Sequence, residues 1–420
     1  MRFIDLEKTW YPAGVERCSL GKFVGWLAFL GIFAAYGLVA MVYCFYRGLG
    51  VTGLDNAFGF GLWITFDLAV IALGAGAFFT GLLRYIIRVD ELKNIINLTV
   101  IKGFICYSGA MLILSLDVGQ PIRSWFGYWH PNVHSMLTEV IFCITCYLIV
   151  LVIEYVPLIL EQRQINSVPI LRNLAHQMHV VMPLFAGIGA FLSTFHQGSL
   201  GGMYGVMFAR PYAFREGFFI WPWTFFLFIL SAIASGPCLT VLICGLTEKM
   251  TGRKLATYRI KSLMAKIGGT MLLFYLVFKY LDTWAWIVNL LPRAGMTFDQ
   301  MFYGLVYGRW LFFTELVLCL PVPVILLLTP LRKKPVCMYL GCFLGCTGVV
   351  INRYVFTVQT LALPVLPFTG WAVYAPNWTE WATSLMVIAY GFIIMSLSYR
   401  YLPIFPQEVG LNRKVSASVA

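Results

Sequence analysis

Four consecutive apolar stretches of this chain carry residues that a lipid-facing helix would exclude: Asp67, Lys102, Asp117, His134, Glu139, Glu154, His176, His179 and His196. A charge at mid-membrane costs roughly 2.5–3.5 kcal/mol on insertion scales, so each requires a partner or a task. Asp67 falls about ten residues into its stretch, near mid-depth at about 1.5 Å per residue. Asp117, His134, Glu139 and His196 gather toward one end of theirs. Carboxylates and imidazoles at one level can pass protons and donate hydrogen bonds to a guest. An interhelical hydrogen bond explains any one of them; it does not explain the set. Lys102 and Glu154 lie toward the other ends, where snorkelling or pairing accounts for them. A second group comprises Lys279, Asp282, Arg309, Glu315 and Arg353. Lys279 and Asp282, three apart, share a helix face. These read first as an ion-pair network, with a proton route through Asp67, Glu139, Lys279, Asp282, Glu315 and Arg353 as the alternative.

The elements that hold these groups follow from composition. Of the 420 residues 60% are hydrophobic and 11% charged, whereas soluble domains carry roughly 25% charged residues. Such a chain cannot coat a water-facing surface. Ten runs are long enough to span a bilayer, which takes about 20 apolar residues: roughly 22–46, 57–83, 93–116, 134–159, 177–197, 218–246, 264–290, 309–331, 336–357 and 380–402. Turn residues separate them, among them Gly48–Gly50, Pro292, Pro335, Pro364 and Pro367. The expected fold is all-α, one polytopic membrane domain over residues 1–420. Two four-helix bundles, 57–197 and 218–357, are expected within it, flanked by the first and last spans. Of 30 Lys and Arg, 21 fall on the face that holds both termini, six on the opposite face and three inside spans. That bias predicts both termini in the cytoplasm and accounts for the net charge of +12 without nucleic acid. The N-terminus has no short apolar run with a cleavage site.

The outer loops then carry little Lys or Arg but many aromatics, notably 117–134, 197–217 and 358–379. They suit a docked partner or a ligand mouth. The Cys143–Cys146 pair sits inside an apolar run and reads as small hydrophobes. Imidazoles are too few, and divided between the two ends, for two stacked bis-His haems. No phosphate loop, dinucleotide fingerprint or zinc helix motif is present.

Two segments carry a resemblance. Leu116-Asp117-Val118-Gly119-Gln120-Pro121-Ile122-Arg123-Ser124-Trp125 is similar to the Asp-x-Gly-Arg-Pro-x-Arg-x-Trp loop of the NrfD/PsrC-like integral membrane family. Ser193-Thr194-Phe195-His196-Gln197-Gly198-Ser199-Leu200-Gly201 resembles the Leu-His-Gln-Ser-Ser-Leu-Gly motif of its hydrogenase-associated branch. Gly74-Ala75-Gly76-Ala77-Phe78 is similar to a small-residue stretch of the family. Gln120 replaces the first Arg of the loop, which leaves Arg123 as its one cation.

The resemblance covers essentially the whole chain. It implies a multi-pass protein of the bacterial inner membrane, a subunit of a quinone-reductase type oxidoreductase complex. Within residues 57–197 it would bind menaquinone or another quinone as substrate near the outer face, with no haem or iron–sulfur cluster of its own. Implied partners are a periplasmic ferredoxin-like iron–sulfur subunit and further periplasmic catalytic or multihaem cytochrome c subunits. Asp117, Glu139, His196 and Asp67 would be catalytic; Arg123, Trp125, Tyr128, His134, Gln197 and Tyr204 would line the quinone. Tyr107 and Trp129 add aromatic surface. The competing expectation is a secondary transporter or proton-translocating channel subunit, since intramembrane Asp, Glu and His also mark ion paths.

Overall fold

The structure, a computed structural model, describes residues 7–119, 121–218, 221–366 and 368–417. Gln120, at the departure from the family loop, and Pro367, one of the expected breaks, lie outside the described residues. Among the described residues ten helices are long and apolar enough to cross a membrane. They are α1 (Leu20–Arg47), α2 (Leu62–Ile86), α3 (Ile96–Asp117), α4 (Met136–Leu160) and α5 (Pro169–Gly205). The remainder are α6 (Trp223–Thr251), α7 (Tyr258–Arg293), α8 (Val306–Leu328), α9 (Pro335–Ala362) and α10 (Trp378–Tyr401). A short α11 (Glu408–Ala417) closes the described chain. Just before α6, Gly217–Phe218 and Trp221–Pro222 form a two-stranded antiparallel hairpin that delays the helix start.

Helix α5 departs most from the apolar reading. It has 37 residues, about 55 Å at 1.5 Å per residue against a hydrocarbon thickness of about 30 Å. The polar run His196-Gln197-Gly198-Ser199 lowers hydropathy but does not end the helix, because these side chains face protein. His196 therefore lies well inside α5, with residues 197–205 following it in the same helix. Asp67, conversely, sits in the second turn of α2, nearer the helix end than the mid-depth position expected of it.

Neighbouring helices pack as two rings. Helix α2 packs on α3, α3 on α4, α4 on α5, and α5 back on the second half of α2. Likewise α6 packs on α7, α7 on α8, α8 on α9, and α9 on α6. The rings meet where α2 contacts α6 and α9 and where α5 contacts α6. One apolar core runs through both, including Ile71, Tyr147, Tyr204, Phe228 and Phe356. The closest approach is Gly76 of α2 against Gly236 of α6, where a Cβ on either would fall on the other's backbone. Small residues are what let membrane helices pack at this distance. The pair α1 and α10 packs outside, α10 lying on α3.

The two ends of the molecule are tied separately. At one, Arg17 pairs with Glu408 (2.5 Å), Arg400 with Glu7 (2.7 Å) and Arg253 with Glu16 (2.9 Å), while Gln162 donates to the Trp10 carbonyl (2.8 Å). At the other, Arg210 donates to the carbonyls of Leu361 (3.0 Å) and Leu363, and burial lowers the pKa of its guanidinium. There also the Gly53 amide donates to Glu380 (2.7 Å), and the Tyr374 hydroxyl, whose pKa burial raises, meets the Leu62 amide and Glu380. The terminus-bearing end is the cation-rich one; the second end holds the aromatic loops.

Candidate functional site

Toward the loop-rich end of the first ring, buried polar atoms accumulate without hydrogen-bond partners among the described residues. Both ring nitrogens of His196 are unpartnered, and so are the Thr65 hydroxyl and a carboxylate oxygen each of Asp67 and Asp117. The Gln197 amide and the Tyr147 and Tyr204 hydroxyls approach Tyr107, Ser193 and Thr357 without forming a well-aligned hydrogen bond. Each unsatisfied buried group costs about 1–3 kcal/mol, and native proteins leave only a few such groups per 100 residues. Contributions from α2, α3, α4, α5 and α9, spread over about 15 Å along the helix axes, line a polar seam that can hydrogen-bond a guest.

Local sequence explains the burial. His196 and Gln197 are fully enclosed because α5 is pressed onto α6 through glycines. A Cβ at Gly201 would sit 2.7 Å from the Phe228 ring, and one at Gly198 would enter the Phe225 ring. On the other side the Tyr107 ring lies 5.9 Å from the imidazole and 4.4 Å from Tyr147, edge on. The Tyr107 hydroxyl is held by Ser193 at 2.8 Å. Asp67 lies within electrostatic range of Asp117, Tyr107 and Tyr204. Phe60 and Phe356 flank the Tyr204 ring at 6.2 and 5.6 Å. Glu139, in the first turn of α4, reaches the Ser199 hydroxyl on α5.

The structure thus brings together Asp67, Asp117, His196, Gln197 and Tyr204, with Glu139 at their rim. It holds the loop residues apart from them. Arg123, Trp125 and His134 are exposed on the end surface, and Tyr128 contacts the Thr145 hydroxyl on the flank of α4. Several contributors were not singled out as site residues from sequence. Tyr147 and the two threonines look like ordinary helix residues, and Tyr107 counted only as aromatic surface. Glu380 was also missed; its carboxylate accepts from Gly53 and from Asn377 (2.9 Å) and lies in electrostatic range of Asp117. Its signal was the Asn-x-x-Glu capping box opening α10.

A second polar cluster lies in the other ring. Glu315 is placed by a π-helical turn at Thr314–Cys319, a distortion frequent at functional sites. It accepts from Asn352 (3.0 Å) and Tyr275 (3.2 Å), with the Lys279 ammonium at 4.0 Å. Arg353 donates to Asn352 and Ser231, both at 2.7 Å, and covers the Phe228 ring at 3.5 Å. Phe228 and Phe356 separate it from Tyr204 by aromatic layers. Asp282 does not join this cluster: Arg215 claims it at 2.8 Å. Arg309 pairs with Asp299 near the surface (2.9 Å). Lys102 pairs with no acid among the described residues; its ammonium, buried, donates to the Gly236 carbonyl (2.8 Å) and the Thr240 hydroxyl (3.1 Å). Among the described residues no group of three or more His, Cys, Asp or Glu is arranged to hold a metal ion.

Known proteins of similar sequence span most of this chain. A family model described as "Polysulphide reductase, NrfD" matches residues 50–364. The chain is 66% identical to the "Menaquinone reductase, integral membrane subunit" of Nitratidesulfovibrio vulgaris, over 98% of this chain and 99% of that protein. It is 23% identical to a selenate reductase subunit of Mesobacillus selenatarsenatis, covering 90% and 94%. With the "Probable Ni/Fe-hydrogenase 2 b-type cytochrome subunit" of Escherichia coli it shares 25% over 86% and 87%.

Proposed function

Because this chain belongs to the NrfD polysulphide reductase family, we propose that the unpartnered cluster around His196 is the quinone site of a respiratory membrane subunit. The observation that carries the reading is the convergence of unsatisfied buried donors and acceptors from five helices. A quinone presents two carbonyls and takes up two protons with two electrons, so its site needs donors, an apolar wall and titratable groups. His196, Gln197, Tyr204 and Tyr147 supply donors, and Phe60, Phe356 and Tyr107 supply the wall. Asp67, Asp117 and Glu139 are the candidate proton carriers. Menaquinone is the substrate suggested by the name of the 66% identical relative, and that name also favours flow toward the quinone.

Electrons enter from a partner. A periplasmic ferredoxin-like iron–sulfur subunit, backed by further catalytic or cytochrome c subunits, rests on the loop-rich end. There Ile122, Trp125, Trp129, Phe208, Phe368 and Val373 stand exposed outside the spans, as a docking surface requires. The orientation follows from the 21-to-6 division of Lys and Arg. An impermeant thiol reagent should reach a cysteine at position 123 from outside, and one at position 254 only after the membrane is breached. Labelling of 254 from outside would invert the assignment.

Bis-His haem needs two imidazoles on facing helices at one depth. His130, His134, His176 and His179 are exposed near the ends, and only His196 is buried, so these residues do not fit such a haem. The cluster around Glu315, Lys279 and Arg353 is a candidate extension of the proton path, while Asp282 is committed to its ion pair.

Asp117→Asn and Asp67→Asn, each in the assembled complex, should lower quinone-linked turnover at least about tenfold, or about 1.4 kcal/mol on the barrier, with assembly intact. Full turnover in both variants would move the site elsewhere.

A further inference from the structure

At the end that holds the termini, a groove of about 750 Å³ lies between α10 and α6. It is lined by Phe66 of α2, Ile105 of α3 and residues such as Trp26, Leu246, Met250 and Phe392. Nothing in the quinone reading uses this groove. Its lining is mostly apolar, with Lys102 the one charge in the deep part, and at the mouth Arg17, Lys22, Arg253 and Arg400 gather beside a single acid, Glu16.

Two of these cations pair with acids outside the groove's depth: Arg253 with Glu16 and Arg400 with Glu7. Arg17 is buried and only partly matched. Its side chain is only 4% exposed and its terminal nitrogens bind Glu408 and the Tyr399 hydroxyl, yet its Nε–H has no partner among the described residues. Lys22 is exposed and makes no ion pair or hydrogen bond among the described residues. A buried guanidinium N–H left unmatched beside a free ammonium, at the head of an apolar trough, is the pattern of an anion with a hydrocarbon tail. Basic pockets between spanning helices on the cation-rich side bind acidic lipid head groups in this way.

We propose that this groove holds one acidic phospholipid, its phosphate on Arg17 and Lys22 and an acyl chain along α6 and α10. A quinone fits the trough less well. Its carbonyls would need donors in the deep part, where the Lys102 ammonium is already directed to the Gly236 carbonyl and the Thr240 hydroxyl.

The test uses the full-length chain, equilibrated with phosphatidylcholine vesicles containing a minor share of phosphatidylglycerol, extracted mildly and weighed by native mass spectrometry. One phosphatidylglycerol per chain should be retained against the excess of phosphatidylcholine. Arg17→Lys keeps a cation beside Glu408 and removes the free N–H; Lys22→Glu reverses the exposed charge. Each should lower phosphatidylglycerol retention about fivefold or more, the second strongly at low salt and weakly at high salt. Thr247→Phe, which fills the groove from α6, should abolish retention without touching the charges. Lys22→Glu and Thr247→Phe decide the matter even if Arg17→Lys folds poorly. Retention of the two lipids in their bulk ratio, retention of quinone instead, or phosphatidylglycerol held equally by all variants would each overturn the proposal.

Discussion

Replacing His196 with alanine is expected to reduce quinone-linked turnover of the assembled complex at least tenfold, and up to about a hundredfold or more if the imidazole donates to an oxygen that gains charge. The side chain is enclosed, both nitrogens are unpartnered among the described residues, and the Tyr107 ring lies tilted with its centroid 5.9 Å from that of the imidazole. No hydrogen bond within the protein would be lost, so a structural role predicts little change in activity. A catalytic one predicts a fall in kcat with smaller change in KM. His196→Gln keeps a donor but cannot titrate at neutral pH. Partial rescue by glutamine would assign the imidazole to hydrogen bonding, and no rescue would assign it to proton transfer. Unchanged turnover in the alanine variant would shift attention to Glu139 and the cluster around Glu315.

The second large effect concerns stability. Arg215 and Asp282 form an ion pair at 2.8 Å with side chains 9% and 3% exposed. The same guanidinium ties down the Tyr212 and Phe214 carbonyls and lies over the Trp286 ring at 5.2 Å. This pair anchors the loop that leads from the end of α5 into the hairpin. Removing one partner strands a buried charge and should cost about 3–5 kcal/mol. Arg215→Leu with Asp282→Leu should recover a large part of that loss, because no charge is left unpaired, although the loop carbonyls still lose their donor. Thermal unfolding in detergent of the two single variants and the double variant measures the coupling. Additive losses would mean that the two side chains act independently. Single variants that unfold normally but turn over slowly would return Asp282 to the candidate proton path.

How far the sequence reveals this molecule varies with the kind of signal. Lipid imposes a length and a composition on every span, so all ten helices are visible as apolar runs. The same rule misplaces the ends of α5, since His196, Gln197 and Ser199 are polar yet turned into protein rather than toward water. Asp67, Asp117 and His196 are conspicuous because charge and imidazole are costly in a bilayer. Tyr147, Thr65 and Thr357 carry no such mark; only the packing of α4, α2 and α9 around α5 brings their hydroxyls to the same place. The partner of Asp282 is similarly hidden. Helical spacing offers Lys279 one turn away, whereas Arg215 arrives from a loop 67 residues distant. Charge asymmetry between faces is legible by counting, but which cations lack a partner among the described residues, as Lys22 does, depends on the tertiary pairing of the rest.

The central claim is that the quinone is bound against α5 at His196, inside the first ring. It is tested most directly by photolabelling the assembled complex with a light-activated menaquinone analogue and mapping the modified peptides. Labels on Tyr107, on Tyr147 and within residues 193–204 of α5, competed away by excess menaquinone, are the predicted result. Labels confined to the groove between α10 and α6, or to the helices around Glu315, would contradict it.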